Sequence, residues 1–352
     1  MDVIFIPYNE YNPYQPRLSE CLAEEGMLVT GRIRIGDLVS QLIRKRETVD
    51  VIHLHWLPHL EDGNAGIRQA RLYAFRLFLL TLLGKKIVWT VHNLYSHESE
   101  RKSLEKWLVG KVVKRASKII VHAETSKQLV TDEFGVGCEE KISVIPHGNY
   151  LGCYPNTLSR EESRQRLNLP AASKVFLFFG HIRPYKGIHQ LLAAFQRLID
   201  PEAVLLIAGE PLNNEMADEI RELASSDSRI KLRLESVPDE EAQVLMNACD
   251  AVVFPYQQIL TSGAVIMAMS FGKACLAPRI GSIPETVIDG KGGILYGPDE
   301  EEGLLLSLEK ASKISSDEFS QMGRFNLAIA KKLDWEGIAR KTAAIYQEAL
   351  NQ

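Results

Sequence analysis

Histidines standing where strands end are the first candidates for chemistry. Of nine in the chain, His55, His92, His122, His147 and His181 each lie at or just after a short β-branched or aromatic run. Parallel sheets present such strand ends to ligands, and a neutral imidazole there can accept, donate or carry a proton. A hydrogen-bonded structural ring is the alternative for any one of them. His53 and His55 would share a strand face, but no carboxylate or third ligand stands beside them, so no metal is expected. A second constellation is the turn Gly180-His181-Ile182-Arg183-Pro184-Tyr185-Lys186-Gly187, which follows the run Val175–Phe179. Glycine lets a ligand approach the backbone, Arg183 can form paired hydrogen bonds to oxygens, and Lys186 adds a compact charge, so this turn suits a diphosphate. A solvated loop with ordinary surface charges is its alternative. The third constellation is Thr261-Ser262-Gly263-Ala264, which opens an apolar helix through Met269. Thr261 or Ser262 is a natural N-cap there, and the unpaired N–H groups of the first turn form an anion site.

The elements that must position these residues alternate from end to end, strand runs with longer helical patterns, and that rhythm marks a parallel-sheet α/β architecture. Strands are expected at 3–6, 51–54, 87–91, 119–121 and 143–145, and again at 175–179, 204–208, 230–234, 251–254, 274–277 and 293–295. Between the two series, 149–173 carries Gly152, Pro155 and Pro170 around a short helix at 159–167, and reads as a linker. Two doubly wound, Rossmann-like domains follow, 1–150 and 151–334, with a terminal helix at 335–352 free to pack back on the first. A length of 352 residues suits two cores. With 45% hydrophobic and 24% charged residues the chain is globular, and a net charge of −4 argues against nucleic acid as a partner. Five scattered cysteines without C-x-x-C spacing fit a reducing cytoplasm. The apolar run after Met1-Asp2 lacks a basic leader and reads as a first strand, and the longest apolar segment, 77–83, is too short to span a bilayer.

Together these motifs resemble the GT-B-fold glycosyltransferases of family 4, over nearly the whole chain. Gly180, Arg183 and Lys186-Gly187 reproduce the opening of the family's second domain. The segment Ala248-Cys249-Asp250-Ala251-Val252-Val253-Phe254-Pro255 is similar to the strand before its phosphate-binding helix, and Gly281-Ser282-Ile283-Pro284-Glu285 with Gly292-Gly293 to its usual ending. In the first domain Thr90-Val91-His92-Asn93 and Val144-Ile145-Pro146-His147-Gly148 match strand-end signatures. One departure stands out: many members carry two glutamates eight residues apart, and here those positions are Ile259 and Met267. The Thr-Ser-Gly version resembles a subset of exopolysaccharide transferases.

The resemblance implies two domains facing across a cleft, a nucleotide-sugar donor on the second domain and a glycan or lipid-linked acceptor on the first. It implies retention of configuration and assigns His92 to the donor sugar. As the sugar–diphosphate bond breaks, charge grows on the departing phosphate. Arg183, Lys186 and the N–H groups at Ser262 and Gly263 are the groups expected to stabilise it. Gly180, Thr261, Glu210, Glu235, Val237 and His147 are expected around the donor, and Tyr14, Gln15, Asn93 and His97 in the cleft or near the acceptor. No Asp-x-Asp occurs, so protein cations are expected to replace a divalent metal, and no cofactor is required. UDP-glucose is the first donor expected, from its frequency in the family, with GDP-mannose second. Ile259 and Met267 also leave open a non-catalytic sugar-nucleotide-binding protein.

Between 101 and 118 the basic residues Arg101, Lys102, Lys106, Lys111, Lys114, Arg115 and Lys118 face one acid, Glu105. As a helix, this segment would bury Leu108, Val109, Val112, Val113 and Ala116 and present Trp107 among its cations, a face suited to the anionic inner surface of the cell membrane. A solvated charged helix is the alternative.

Overall fold

The structure is a computed structural model and describes residues 1–44, 48–96 and 101–352. It divides into two compact units, Met1–Gly148 with Leu333–Gln352, and Asn149–Lys332.

Unit 1 is built on strands β1 (Asp2–Ile6), β2 (Leu28–Gly31), β3 (Val51–Leu54), β4 (Lys86–Thr90), β5 (Lys118–Val121) and β6 (Ile142–Val144), in the order β2-β1-β3-β4-β5-β6. All neighbours run parallel. The inner strands are apolar runs because helices cover both faces of the sheet. The covering helices are α1 (Tyr14–Glu24), α2 (Ile35–Ile43), α3 (Gly63–Leu82), α4 (Lys102–Arg115) and α5 (Glu124–Phe134). Strand β2 was not expected from the sequence. It is an edge strand with Leu28 66% exposed, so it lacks the continuous apolar run that marks its neighbours.

Unit 2 begins with α6 (Arg160–Arg166), then strands β7 (Lys174–Phe179), β8 (Ala203–Ala208), β9 (Ile230–Arg233), β10 (Ala251–Val253), β11 (Ala274–Pro278) and β12 (Gly293–Tyr296). Their order is β12-β11-β10-β7-β8-β9, again all parallel. Helices α7 (Ile188–Arg197), α8 (Asn214–Ala224), α9 (Asp239–Ala248), α10 (Gly263–Ser270), α11 (Ile283–Thr286), α12 (Gly303–Ser312) and α13 (Ser316–Ala330) connect and cover them. The last helix, α14 (Trp335–Leu350), returns to unit 1, where Trp335, Ile338, Ala339 and Tyr346 share one core with Tyr14, Leu18 and Leu22 of α1. Each sheet therefore reverses its winding direction once, between β1 and β3 in unit 1 and between β7 and β10 in unit 2. Ligands of open α/β sheets bind at such reversals, beyond the strands' carboxyl ends.

One buried ion pair holds α6 to the second sheet. Arg164, 3% exposed, donates to Asp250 Oδ2 at 2.9 Å and to the carbonyls of Ala248, Ala171 and Ser173. Asp250 also accepts from the Val175 amide at 2.8 Å. Truncating one partner strands the other charge in the interior, so Arg164→Ala should cost about 3–5 kcal/mol. A denaturant midpoint unchanged from wild type would contradict this assignment.

Candidate functional site

In unit 2 the cationic turn sits at the end of β7, at the reversal point. Gly180 adopts φ +115° as the strand ends, and Gly209, after β8, packs so close that a Cβ there would lie 2.0 Å from the Gly180 carbonyl oxygen. Arg183 Nη1 donates to its neighbour's carbonyl, that of Ile182, at 2.9 Å. Lys186 Nζ lies over the turn, 3.7 Å from where a Gly180 Cβ would stand. Its ammonium is pulled down to about 8, first by burial and then by Arg183. Both causes describe a positive charge held without a nearby anion.

The turn is packed directly on the segment after β10. At Gly187, φ +71°, a Cβ would meet the Pro255 carbonyl oxygen at 1.9 Å, and the Gln257 amide donates to Tyr185 O at 2.8 Å. That segment leads into α10, whose N-cap is Ser262: its Oγ accepts from the Val265 amide at 3.3 Å and lies 3.3 Å from the Tyr256 hydroxyl. Thr261 is therefore not the cap, and its buried Oγ1 has no hydrogen-bond partner among the described residues. Gly263 is the first residue of the helix, so its amide belongs to the unpaired first turn. Sequence reasoning thus picked out Gly180, Arg183 and Lys186 in a turn that packs on the segment leading to Ser262 and Gly263. It did not single out Tyr256, which buttresses the cap, or the glycine approaches that dock the loops.

Other expected donor contacts stand on the same edge of unit 2 with less support. Glu210, exposed after β8, offers its carbonyl to the Ile182 amide at 2.8 Å. Glu235, exposed after β9, pairs with Arg233 at 3.0 Å, and Val237 is half-buried. Met267 is 5% exposed within α10 and Ile259 is half-buried, so nothing at those positions replaces the family's carboxylates.

In unit 1 the strand ends bring histidines together around Tyr14. Ring centroids of His92 and His147 lie 4.9 Å from Tyr14, His122 5.6 Å and His55 5.9 Å, with Trp335 at 5.3 Å. His53 closes the group from below: Nδ1 is 2.6 Å from the Tyr346 hydroxyl and Nε2 2.7 Å from Thr90 Oγ1, which also bonds to Tyr14. His122 Nδ1 donates to Ile145 O at 2.8 Å and His147 Nδ1 to Gly148 O at 2.7 Å, so that the neutral form of each ring keeps its lone pair on Nε2. Burial first, and then His122, bring His53 and His147 down to about 3, and burial brings His122 down to about 4. Despite the crowding, no group of three His, Cys, Asp or Glu among the described residues could hold a metal ion.

His92 is the member of this group with partial exposure. It stacks on Trp56 with centroids 4.5 Å apart, and its Nε2 lies 3.2 Å from His55 Nδ1. Burial first, then His122, His147 and His53, holds it well below the usual imidazole range. Trp56 was missed because its role depends on β3 lying beside β4. Asn93 is exposed, and His97 lies outside the described residues.

Several expectations need correction. His181 stands just after β7 as expected, but on unit 2, where it is exposed and 3.9 Å from Glu210. Gln15 is 0% exposed, donating to Pro7 O at 2.9 Å and accepting from the Asn9 amide at 2.7 Å, so it braces the 7–15 loop and does not reach a ligand. Tyr14, 3% exposed, is likewise a core hub. On α4 the expected apolar stripe is buried and Trp107 is 39% exposed, with Lys111 Nζ 5.3 Å from its ring. Lys118, however, leaves that basic face: it belongs to β5, is 8% exposed and pairs with Glu348 at 2.6 Å. Among the described residues no helix is long and apolar enough to cross a membrane.

The family model described as Glycosyltransferase Family 4 matches residues 30–149, and that described as Glycosyl transferases group 1 matches 159–324. A GDP-mannose:glycolipid 4-beta-D-mannosyltransferase of Xanthomonas campestris is 29% identical, over 98% of this chain and 91% of its own. A D-inositol 3-phosphate glycosyltransferase of Corynebacterium glutamicum is 25% identical, over 90% and 76%. Among solved structures, HepE of Anabaena in complex with UDP and glucose superposes with a TM-score of 0.75, at 19% identity over 98% of each chain. Sucrose-phosphate synthase of Thermosynechococcus elongatus reaches 0.78, at 18% identity over 99% of this chain and 98% of that one. At those identities the structures speak for the fold. With two six-stranded parallel sheets and two matching family models, the chain belongs to the group 1, family 4 glycosyltransferases of GT-B fold, which draw on a nucleotide-sugar donor.

Proposed function

We propose that this chain transfers a hexose from a nucleoside diphosphate donor to a glycolipid acceptor, with unit 2 holding the diphosphate and unit 1 the acceptor. One observation carries the reading: at the reversal point of the second sheet, the Arg183–Lys186 turn is packed on the segment that leads to the Ser262-capped helix. The acceptor hydroxyl attacks the anomeric carbon and gives its proton to solvent water. The bond to the diphosphate breaks with its electron pair on the phosphate oxygen. Arg183, Lys186 and the Gly263 amide stabilise that oxygen, with Thr261 Oγ1 a further donor. These cations take the part a divalent metal plays in other transferases. His92, partly exposed on Trp56, contacts the sugar.

For the donor, the Xanthomonas relative puts GDP-mannose ahead of the UDP-glucose expected from family frequency, and it supports a glycolipid over a free glycan. The product's configuration is open to the same test. GDP-mannose carries its sugar α-linked, so a β-mannoside like that named for the relative requires inversion, whereas the family resemblance implies retention.

Titration calorimetry with GDP, UDP and ADP, followed by incubation with the matching sugar donors and a membrane extract, tests the reading. GDP should bind at least tenfold more tightly than the others, and GDP should be released from GDP-mannose with a β-linked product. Binding with no release in the presence of acceptor extract would favour the non-catalytic alternative.

A further inference from the structure

We infer that unit 1 carries a preformed site for the phosphate-bearing end of a lipid acceptor, in the cavity where Arg34 and Arg76 meet an apolar wall beside the reversal point of the first sheet. This rests on the proposed glycolipid acceptor and adds where, and by which group, such a molecule is held.

The cavity has a volume of about 410 Å³, and Ile33, Ile35, Trp56 and Leu72 supply much of its apolar lining. Arg34 and Arg76 supply charge, and neither has an ion-pair partner among the described residues. Arg34 is the residue before α2, and the Arg76 guanidinium lies against that helix's first turn, where a Cβ on Gly36 would meet its Cζ at 2.7 Å. The Arg76 guanidinium and the positive end of a nine-residue helix thus share one place, and Arg34, the residue before that helix, lines the same cavity. Asp37, the acid of that turn, is exposed and pairs with neither arginine. An independent observation comes from Tyr73, which also lines the cavity. It is 8% exposed, and its buried hydroxyl has no hydrogen-bond partner among the described residues. A buried donor left unpaired is destabilising, and an anionic oxygen satisfies it.

The apolar surroundings say which anion. A free phosphate would gain nothing from Ile33, Trp56 or Leu72, whereas an alkyl or isoprenyl phosphate places its chain on them. Leu72 also begins an exposed strip on α3 that continues through Phe75, Phe78 and Leu82, residues three or four apart on one face and 41–66% exposed. A strip of that kind with cations beside it, Arg115 lying 5.6 Å from the Phe78 ring, suits a bilayer surface and gives the chain a route out of the cavity.

Binding of farnesyl diphosphate to the full chain, followed by calorimetry, tests this against inorganic pyrophosphate and farnesol. Farnesyl diphosphate should bind at least tenfold more tightly than either half-molecule. Arg76→Gln should weaken it about ten- to a hundredfold, as expected for a lost charge-assisted contact, and Gly36→Ala, which displaces the guanidinium without removing it, should also weaken it. Nucleoside diphosphate binding should be unchanged in both variants. Equal affinity in wild type and R76Q, or pyrophosphate binding as tightly as farnesyl diphosphate, would overturn the site. A parallel arm uses phosphatidylcholine vesicles with a trace of prenyl diphosphate, and vesicles of phosphatidylglycerol alone. Arg76-dependent binding confined to the second would assign the cations to bulk lipid and overturn the acceptor site. Farnesyl diphosphate binding by a chain that binds no nucleotide would leave this site standing and remove the transferase reading.

Discussion

Lys186→Ala should lower kcat for sugar transfer about 10²–10³-fold, the loss typical of removing one preorganised donor from a developing oxyanion. The fold should survive, because Lys186 is half-buried at a loop and makes no ion pair among the described residues. A more specific signature lies in pH. Only the ammonium form can meet a diphosphate, and in the unliganded protein this ammonium is held at about 8 by burial and by Arg183. The free-enzyme quantity kcat/KM should therefore fall about tenfold per pH unit above pH 8. A bound diphosphate favours the charged form, so kcat should begin to fall at higher pH. Lys186→Arg keeps the charge in a group that does not titrate in this range, and whatever activity it retains should lack the alkaline limb. An alkaline limb shared by wild type and K186R would assign the titration to another group.

Acid is expected to unfold unit 1 well before ordinary surface carboxylates are exhausted. In the folded state His53 and His147 are held at about 3 and His122 at about 4, against 6.5 for an unperturbed ring. A depressed histidine pKa means the unfolded chain takes up protons first. Stability is therefore greatest above about pH 6.5 and is lost as pH falls toward the folded values between about 4 and 3. Protonating these rings in the unfolded chain therefore draws on a domain's typical ~5–15 kcal/mol as the pH falls. Thermal melts from pH 7 to 4 should show a steep loss of Tm. His53→Gln, which keeps hydrogen-bonding capacity between Tyr346 and Thr90 but does not titrate, should flatten that slope even if it lowers stability at pH 7. An unchanged slope in H53Q would remove His53 from the account.

Much of unit 2's site was legible because its parts are local. A strand ending in Gly180, two cations within the next six residues and a serine before an apolar helix are each decided by neighbours in sequence. The approach of Gly187 to Pro255 could be suspected only from family resemblance. In unit 1 the strand-end histidines were visible singly, but their crowding on Tyr14 was not. The bond from His53 to Tyr346 spans 293 positions, and no periodicity reports it. Lys118 read as one more cation of a basic helix. The start of β5 took it out of that helix, and Glu348, carried back by α14, gave it a partner.

By itself, then, the sequence determined most of the strands, though not β2, the place of Arg183 and Lys186 just after a strand end, and the serine that caps α10, since propensity, capping and hydrophobic period act over a few residues. The tertiary structure decided which side chains share a space. Parallel pairing joins strands through long crossovers, so the imidazoles on Tyr14, the stacking of Trp56 on His92 and the meeting of Arg34 with Arg76 arise only when distant segments are laid side by side.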